Sequence, residues 1–220
     1  MSQPPPATQP KVLVFGASLR ADSWNRKLAA LAAQVAEEAG AVVDHASMRD
    51  FDLPLYDGDL EAAEGIPRGA EELRRRLLDS DAFIIASPEY NGSMPGTLKN
   101  LIDWTSRFRP QPFDGRHGLL LSASPSLAGG NRGLWALRVP LEHLGARIFP
   151  DMFSLARAHQ AFDGDDIADP GLRERFDQNV RAFLSLAEAA KHYPCMKRAW
   201  VEFLGEPPGE GADRVDPVAD

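Results

Sequence analysis

Short apolar runs alternate with amphipathic segments along most of this chain. The runs that we expect to form strands lie at 11–16, 41–48, 82–87, 118–123 and 147–149. The segments with apolar residues at helical spacing lie at 23–39, 68–78, 97–107, 134–144 and 171–191. Apolar strands are typical of a parallel sheet covered on both faces, because right-handed crossovers place helices on each side. The alternation predicts an α/β doubly wound sheet of five parallel strands in the order 2-1-3-4-5, with helices on both faces.

Two loops of this predicted sheet are rich in turn-forming and polar residues. The loop after the first strand reads GASLRADSWNR, and the loop after the third strand reads SPEYNGSMPG. In this strand order the connections change direction between the first and third strands, and open α/β sheets bind ligands at that point. Pro88, Gly92, Pro95 and Gly96 specify a tight backbone path in the second of these loops. We therefore expect the two loops to form a ligand site together.

The loop after the first strand carries groups that suit a phosphate. Ser18, Ser23 and Asn25 offer hydroxyl or amide groups, Arg20 offers a guanidinium, and a helix begins there. Free N–H groups at a helix start and a planar guanidinium both favour an anion. Taken alone, the loop has a second interpretation, in which Ser23 or Asp22 only caps the helix and Arg20 is solvated. Its place after the first strand favours the phosphate, and the lack of GxxxxGK[ST] and GxGxxG motifs favours a phosphomonoester over a dinucleotide.

The segments GASLRADSWNRKLA and SPEYNGSMPGTLKNLIDW resemble the NADPH-dependent FMN reductases of the flavodoxin-like fold. That family includes quinone, azo-dye and chromate reductases, and the resemblance spans about residues 11–186. It implies that the first loop holds the FMN phosphate and that the loop after the third strand cradles the isoalloxazine ring. The implied phosphate contacts are Ser18, Arg20, Ser23 and Asn25, and the implied ring contacts are Pro88, Glu89, Tyr90, Asn91, Gly92 and Ser93.

The needs of a flavin agree with the loop after the third strand. An isoalloxazine requires a flat slot, backbone N–H groups near its polar edge and one open face for hydride transfer. Gly92 allows the backbone to approach closely, and Tyr90 can flank the ring. The alternative for Tyr90 is an ordinary half-buried aromatic. We expect Glu89 to anchor the loop or a neighbouring subunit rather than to transfer a proton.

Two further residues are candidates for ligand contact. The loop at 122–133 resembles the family's Ser-rich and Gly-rich segment near the flavin, which makes Ser124 a candidate FMN contact. The alternative is a plain surface loop before a helix. Arg107 is a candidate contact for the 2′-phosphate of NADPH or for an anionic acceptor. Its alternative is an arginine that the dipole at a helix C-terminus favours.

The implied activity is that of an oxidoreductase, in which non-covalently bound FMN takes a hydride at N5 from NADPH or NADH. The electrons then pass to a small-molecule acceptor, which is a quinone, azo compound, flavin or metal ion. We expect no catalytic side chain, because the flavin carries the chemistry. Two alternatives remain open, a flavodoxin-like electron carrier without its own NADPH oxidase activity and a flavin-dependent regulator. The sequence SLRADSWN favours the enzyme, because carrier flavodoxins usually have a Thr/Ser-rich first loop.

The resemblance also implies a homodimer or a homotetramer, often with active sites at subunit boundaries. Trp104, Phe108 and Phe113 lie near the predicted site in sequence, and Trp200 lies in the C-terminal extension. Each of these aromatics fits a subunit interface, and core packing explains any one of them equally well.

Composition limits the domain count and the partner classes. With 220 residues, 44% hydrophobic and 25% charged, we expect one FMN-binding domain at 11–191. We also expect a disordered leader at 1–10, a helical extension at 192–205 and a disordered tail at 206–220. A formal charge of -8 argues against nucleic-acid binding, and no run approaches the roughly 20 apolar residues of a membrane helix. A single cysteine, Cys195, and five scattered histidines predict no metal site. The single cysteine also suits a cytoplasmic protein, because the cytoplasm is reducing.

Overall fold

The computed structural model describes residues 9–191 of the chain. The strands of the main sheet are β1 (Lys11–Gly16), β2 (Val42–Ser47), β3 (Ala82–Ala86), β4 (His117–Ala123), β5 (Arg147–Ile148) and β6 (Phe153–Leu155). The strands lie in the order β2-β1-β3-β4-β5, and each neighbouring pair is parallel. This confirms the predicted doubly wound sheet and its strand order.

The fifth position of the sheet is longer than predicted and is formed in two pieces. Strand β5 pairs with the start of β4, and β6 pairs with the end of β4, at Leu121 to Ala123. Pro150 lies between the two pieces and has no N–H to donate to a ladder, which accounts for the interruption. The sheet edge that carries the candidate loops therefore extends to β6.

The helices are α1 (Trp24–Glu38), α2 (Gly58–Glu64), α3 (Arg68–Asp79), α4 (Gly96–Thr105), α5 (Asn131–His143), α6 (Ala158–Ala161) and α7 (Pro170–Lys191). Five of them correspond to the predicted helices, and α2 and α6 are additional. A 3-10 turn at Met48–Phe51 follows β2, and a small antiparallel hairpin joins β7 (Phe162–Asp163) to β8 (Asp166–Ile167). Helix α2 begins at the cap Asp57, whose carboxylate accepts a hydrogen bond from the N–H of Asp59.

The core lies on both faces of the sheet. Val12 and Val14 of β1 pack with buried residues of α1 and α7, whereas Leu13 and Phe15 pack with α3, α4 and α5. This division follows from the alternation of side chains along a strand. Trp104 and Phe113 are 0% and 2% exposed, so both aromatics belong to the core of this chain.

Three predicted segments fall largely or wholly outside the described residues. These are the leader at 1–10, of which only residues 9 and 10 are described, the extension at 192–205 and the tail at 206–220. Within residues 9–191, no helix is both long enough and apolar enough to cross a membrane.

Candidate functional site

Three loops leave the carboxyl edge of the sheet next to one another. We call them loop A (17–23), loop B (87–95) and loop C (124–130), after β1, β3 and β4. The N–H of Ala17 donates to the carbonyl of Ala86 at 2.8 Å, which joins the start of loop A to the end of β3. The N–H of Ser87 donates to the carbonyl of Leu121 at 2.8 Å, which joins loop B to β4. The structure thus brings together the loops that the sequence predicts to form one site.

Loop A leads directly into helix α1. A Cβ on Gly16 would lie 2.8 Å from both the Cα of Arg26 and the carbonyl oxygen of Asn25, so only glycine allows this approach of strand and helix. Ser23 is the N-cap, yet its side chain makes no capping hydrogen bond to the helix. Ser18 and Ser23 are 6% and 7% exposed. Ser23 therefore lies nearly buried at the positive end of the α1 dipole, where an anion is favoured, and Ser18 is nearly buried in the loop that leads to it.

Arg20 lies on the exposed part of loop A. Its backbone N–H donates to Ser18 Oγ at 3.3 Å, and its carbonyl accepts a hydrogen bond from Arg26 Nη1 at 3.3 Å. These contacts hold the backbone, while the guanidinium of Arg20 makes no ion pair with any residue in 9–191. This charge is therefore available to an anionic ligand.

Asn25 has a structural role that the sequence does not indicate. Its Nδ2 donates to the carbonyl of Ala123 at 2.8 Å, and its Oδ1 accepts the Ala123 N–H at 2.9 Å. The side chain is buried and ties the first turn of α1 to the end of β4. A contact from Asn25 to a phosphate stays a prediction, with only the second Nδ2 hydrogen left to make it.

Loop B contains a tight two-residue turn. Tyr90 and Ser93 exchange backbone hydrogen bonds at 2.9 and 3.1 Å, with Asn91 and Gly92 between them. Both central residues have positive φ, 53° at Asn91 and 78° at Gly92, which is the pattern of a type I′ turn. A Cβ on Gly92 would have no atom within 4 Å, so the backbone angle and not crowding within this chain requires glycine there.

Glu89 fixes loop B to the start of α5. Its Oε1 accepts a hydrogen bond from Arg132 Nε at 2.8 Å, and its Oε2 accepts the Gly133 N–H at 3.1 Å. Burial alone would raise the pKa of Glu89, but the hydrogen bonds from Arg132 and Gly133 outweigh it and lower the pKa below its usual range. These hydrogen bonds agree with an anchor for the loop, with Arg132 as a partner that the sequence did not identify, and a contact from Glu89 to the flavin ring stays a prediction.

The remaining ring-contact candidates surround this anchor. Pro88 is buried, Ser93 closes the turn, and Tyr90 is 49% exposed. The Tyr90 ring is therefore open to stacking on a flat ligand, and its contact with a flavin stays a prediction.

Loop C is joined to the end of β6. The N–H of Ser124 donates to the carbonyl of Leu155 at 3.1 Å. Ser124 Oγ accepts the Ser126 N–H at 3.2 Å and lies 3.1 Å from Ser126 Oγ. The Ser124 hydroxyl thus helps to fold its own loop, and its contact with FMN stays a prediction.

Arg107 is held by a residue of the helix that the sequence did not predict. Its Nε lies 3.0 Å from both carboxylate oxygens of Glu61 in α2, and Tyr56 Oη donates to Glu61 Oε2 at 2.9 Å. The hydrogen bond to Glu61 raises the pKa of Arg107. A contact from Arg107 to NADPH or to an acceptor stays a prediction. It would require the guanidinium to bind the ligand anion and the Glu61 carboxylate at the same time.

Comparison with known proteins adds to this geometry. A sequence model of the NADPH-dependent FMN reductase family matches residues 10–160. A probable NADPH:quinone oxidoreductase of Oryza sativa is 37% identical over 192 residues, which are 82% of this chain and 92% of the rice protein. An NAD(P)H-dependent FMN reductase of Pseudomonas aeruginosa is 36% identical over 178 residues, covering 78% of this chain and 92% of that protein. Among solved structures, the flavoenzyme NAD(P)H:(acceptor) oxidoreductase FerB of Paracoccus denitrificans has a TM-score of 0.71 and 30% identity, covering 82% of this chain and 98% of FerB.

Proposed function

This chain belongs to the NADPH-dependent FMN reductase family, and we propose that it is an NAD(P)H-dependent flavoenzyme that reduces a quinone or another small acceptor. The convergence of loops A and B at one edge of the sheet carries this proposal. Loop A supplies a site for a phosphate and loop B supplies a rigid turn for a flat ring. A mononucleotide with both parts fits the pair of loops.

The residues at the phosphate end fit FMN. The Ser23 hydroxyl makes no capping hydrogen bond to α1, Ser18 is nearly buried in the same loop, and the guanidinium of Arg20 has no ion-pair partner in 9–191. Hydroxyl donors and a guanidinium at a helix start suit a phosphomonoester dianion. We propose that Ser18, Arg20 and Ser23 hold the FMN phosphate, with Asn25 supporting the helix on which it rests.

The residues of loop B fit the ring. The type I′ turn fixes the backbone of Asn91 and Gly92, and the anchor at Glu89 holds the turn against α5. A fixed backbone can present N–H groups to the polar edge of the ring without reorganising when a ligand binds. We propose that Pro88, Tyr90 and Ser93 complete the slot and that Ser124 contacts the ribityl or ring end from loop C.

No side chain of these loops is needed as an acid or a base. When bound, FMN supplies the redox chemistry by accepting a hydride from NAD(P)H and passing its two electrons to the acceptor. Glu89 has a lowered pKa and two donors in contact, so it remains a carboxylate at neutral pH and orients the loop. The role of the protein is to position the reactants and to prevent other arrangements of them.

A single preparation tests this function. The full-length protein should bind FMN, become yellow, and lose the yellow colour under anaerobic conditions within seconds of adding NADPH or NADH. A steady-state panel of a benzoquinone, an azo dye, free FMN and ferric citrate then identifies the acceptor class, and we expect the quinone to give the highest kcat/KM. Failure to bind FMN would overturn the proposal. Yellow protein that NAD(P)H bleaches only over hours would indicate an electron carrier.

We further propose a homo-oligomer in the cytoplasm with residues 11–191 as the flavin domain. Leu55, Trp135 and Val139 are large apolar side chains that are 82%, 56% and 69% exposed on the single chain. A contiguous apolar surface marks an interface, and Trp135 and Val139 lie one turn apart on α5. Light scattering coupled to size-exclusion chromatography would give the mass, and a monomer at micromolar concentration would contradict the oligomer.

A further inference from the structure

Arg157 has a backbone conformation that arginine rarely adopts. Its φ and ψ are 49° and 45°, in the left-handed region, where the Cβ atom crowds the following carbonyl oxygen. Across residues 9–191, the only other non-glycine residue with positive φ is Asn91, and asparagine tolerates this region. Arginine has no such tolerance, so the contacts around Arg157 must impose the conformation.

Those contacts lock Arg157 between loop C and α6. Its N–H donates to the carbonyl of Ser126 at 3.1 Å, and the N–H of Ala158 donates to the carbonyl of Ser124 at 3.0 Å. The Arg157 carbonyl accepts hydrogen bonds from Gln160 and Ala161 at 2.7 and 3.0 Å. Both sides of the residue are therefore fixed, and its side chain leaves a rigid position just beyond β6.

Helix α6 also places Arg157 near the start of α1. The His159 ring lies 6.5 Å from the ring of Trp24, the first residue of α1 and the neighbour of Ser23. Lys27 of the same helix donates to the carbonyl of Gly164 at 2.8 Å. The segment after β6 thus lies against the start of α1, where loop A ends, so Arg157 shares that region with loops A and C.

The charge of Arg157 is not compensated by the chain. The side chain is exposed, and it makes no hydrogen bond or ion pair with another residue in the described part of the protein. By contrast, Arg107, Arg132 and Arg173 each contact a carboxylate. An arginine held rigidly and left without an anion is suited to receive one from a ligand.

We propose that Arg157 binds a phosphomonoester dianion beside loops A and C. This inference rests on the proposed function, because two ligands of such an enzyme carry this group, the 5′-phosphate of FMN and the 2′-phosphate of NADPH. A guanidinium can make two parallel hydrogen bonds to either phosphate. Because the backbone is already fixed, only the side-chain rotamers of Arg157 have to be ordered when the phosphate binds.

The test uses the full-length protein and its R157Q, R157K and R157G variants, with R181Q as a control of equal charge change. Arg181 is exposed on α7 and lies 3.6 Å from Glu38, away from the three loops. Quenching of flavin fluorescence gives Kd for FMN and for riboflavin, which lacks the phosphate. Steady-state rates of the reconstituted proteins give KM for NADPH and for NADH.

The two ligand sources give different results. If the 5′-phosphate of FMN binds, R157Q weakens FMN binding by about fivefold or more and leaves riboflavin unchanged. If the 2′-phosphate of NADPH binds, R157Q keeps the FMN to riboflavin ratio and raises KM for NADPH relative to NADH by a similar factor. R157K should recover part of either loss, and R181Q should match the wild type.

R157G separates binding from folding. Glycine relieves the left-handed strain, so this variant should have a higher Tm than the wild type while losing the same phosphate preference as R157Q. Suppose that the wild type binds FMN, and that R157Q and R157G keep its preference for FMN over riboflavin and for NADPH over NADH. The inference is then wrong and the proposed function stands. A wild type that binds neither flavin would overturn both.

Discussion

The carboxylate of Glu89 bonds both the side chain of Arg132 and the backbone of the residue after it. Oε1 lies 2.8 Å from Arg132 Nε, and Oε2 lies 3.1 Å from the Gly133 nitrogen. The Glu89 side chain is only 6% exposed, whereas that of Arg132 is 69% exposed. One buried carboxylate therefore connects the turn that follows β3 to the first turn of α5, and the geometry of loop B depends on it.

Replacing Glu89 with glutamine should loosen loop B. We expect E89Q to reduce the free energy of unfolding by about 1–2 kcal/mol at pH 7 and to weaken FMN binding severalfold, because one charge-assisted contact is lost in a buried setting. E142Q is a matched control, because Glu142 lies on α5, the helix that Glu89 contacts. Glu142 pairs with Arg138 at the surface and is 42% exposed. Urea unfolding and FMN titration of the three proteins measure both effects, and equal losses in E89Q and E142Q would contradict the anchor.

The same carboxylate predicts a direction with pH. The folded state holds the pKa of Glu89 below its ordinary value of 4.5. The folded state thus favours the charged form, and the stabilisation is fully present above about pH 4.5 and is lost as pH falls through the folded pKa. The difference in unfolding free energy between wild type and E89Q should narrow from pH 7 to pH 4. A difference that stays constant or widens over this interval would show that the charge of Glu89 is not responsible.

Gly92 should tolerate no side chain, for reasons of backbone angle. Its φ of 78° is unfavourable for any residue with a Cβ, so G92A should destabilise the protein by about 1 kcal/mol and G92V by more. Both variants should lose FMN while circular dichroism shows an intact sheet, because the turn lies outside the core. Gly96 provides the control, since a Cβ there also meets no atom within 4 Å and its φ is not positive. A G92V protein that keeps its full FMN content would place the ring elsewhere.

The sequence predicts the sheet well because its strands differ sharply from what surrounds them. Strand β1 begins and ends at the predicted residues, since KVLVFG is apolar and is followed by a polar turn. Helix α2 was missed because none of its residues is buried, so it lacks an apolar stripe. Strand β6 is not predicted from the sequence because it has only three residues and follows a proline. Three residues are too few to show an alternation of apolar and polar side chains.

The features of the site that the sequence predicts are those set by neighbouring residues, and the features that it does not predict depend on residues far apart in the chain. The positions of loops A and B follow from strand order alone, and the Asn-Gly turn is visible in the sequence. The pairs Asn25 with Ala123 and Glu89 with Arg132 are separated by 98 and 43 residues, and no pattern near either partner indicates the other. The sequence therefore identified the loops that the structure brings together, but it did not separate the residues that shape them from those left to contact a ligand.

Asn25 should prove to be a structural residue. We expect N25A to lower the free energy of unfolding by about 2–3 kcal/mol, because it removes two buried hydrogen bonds and leaves the Ala123 backbone without partners. N25D keeps an acceptor for the Ala123 N–H but opposes the carbonyl, so it should be nearly as costly. If FMN affinity falls in N25A with no change in stability, the side chain acts on the phosphate directly instead.

Glu72 anchors a charged network that holds α3 against β2. Arg75 and Arg76 each approach Glu72 Oε1 at 2.7 Å, and Arg76 also contacts Asp44 at 2.6 Å. The hydrogen bonds from Arg75 and then Arg76 lower the pKa of Glu72 to about 2. Because the folded pKa lies below the unfolded one, this stabilisation is present above about pH 4.5 and is lost as pH falls toward 2.

The network should therefore contribute stability at neutral pH and none in strong acid. E72Q should lower the free energy of unfolding by about 1 kcal/mol at pH 7, a small value because the pair is partly solvated. E71Q is the control, since Glu71 is exposed one position earlier on the same helix. Urea unfolding at pH 7, 4 and 3 should show the E72Q difference shrinking at each step while E71Q changes little. A difference that is unaffected by pH would mean that the packing of Glu72, and not its charge, holds α3 in place.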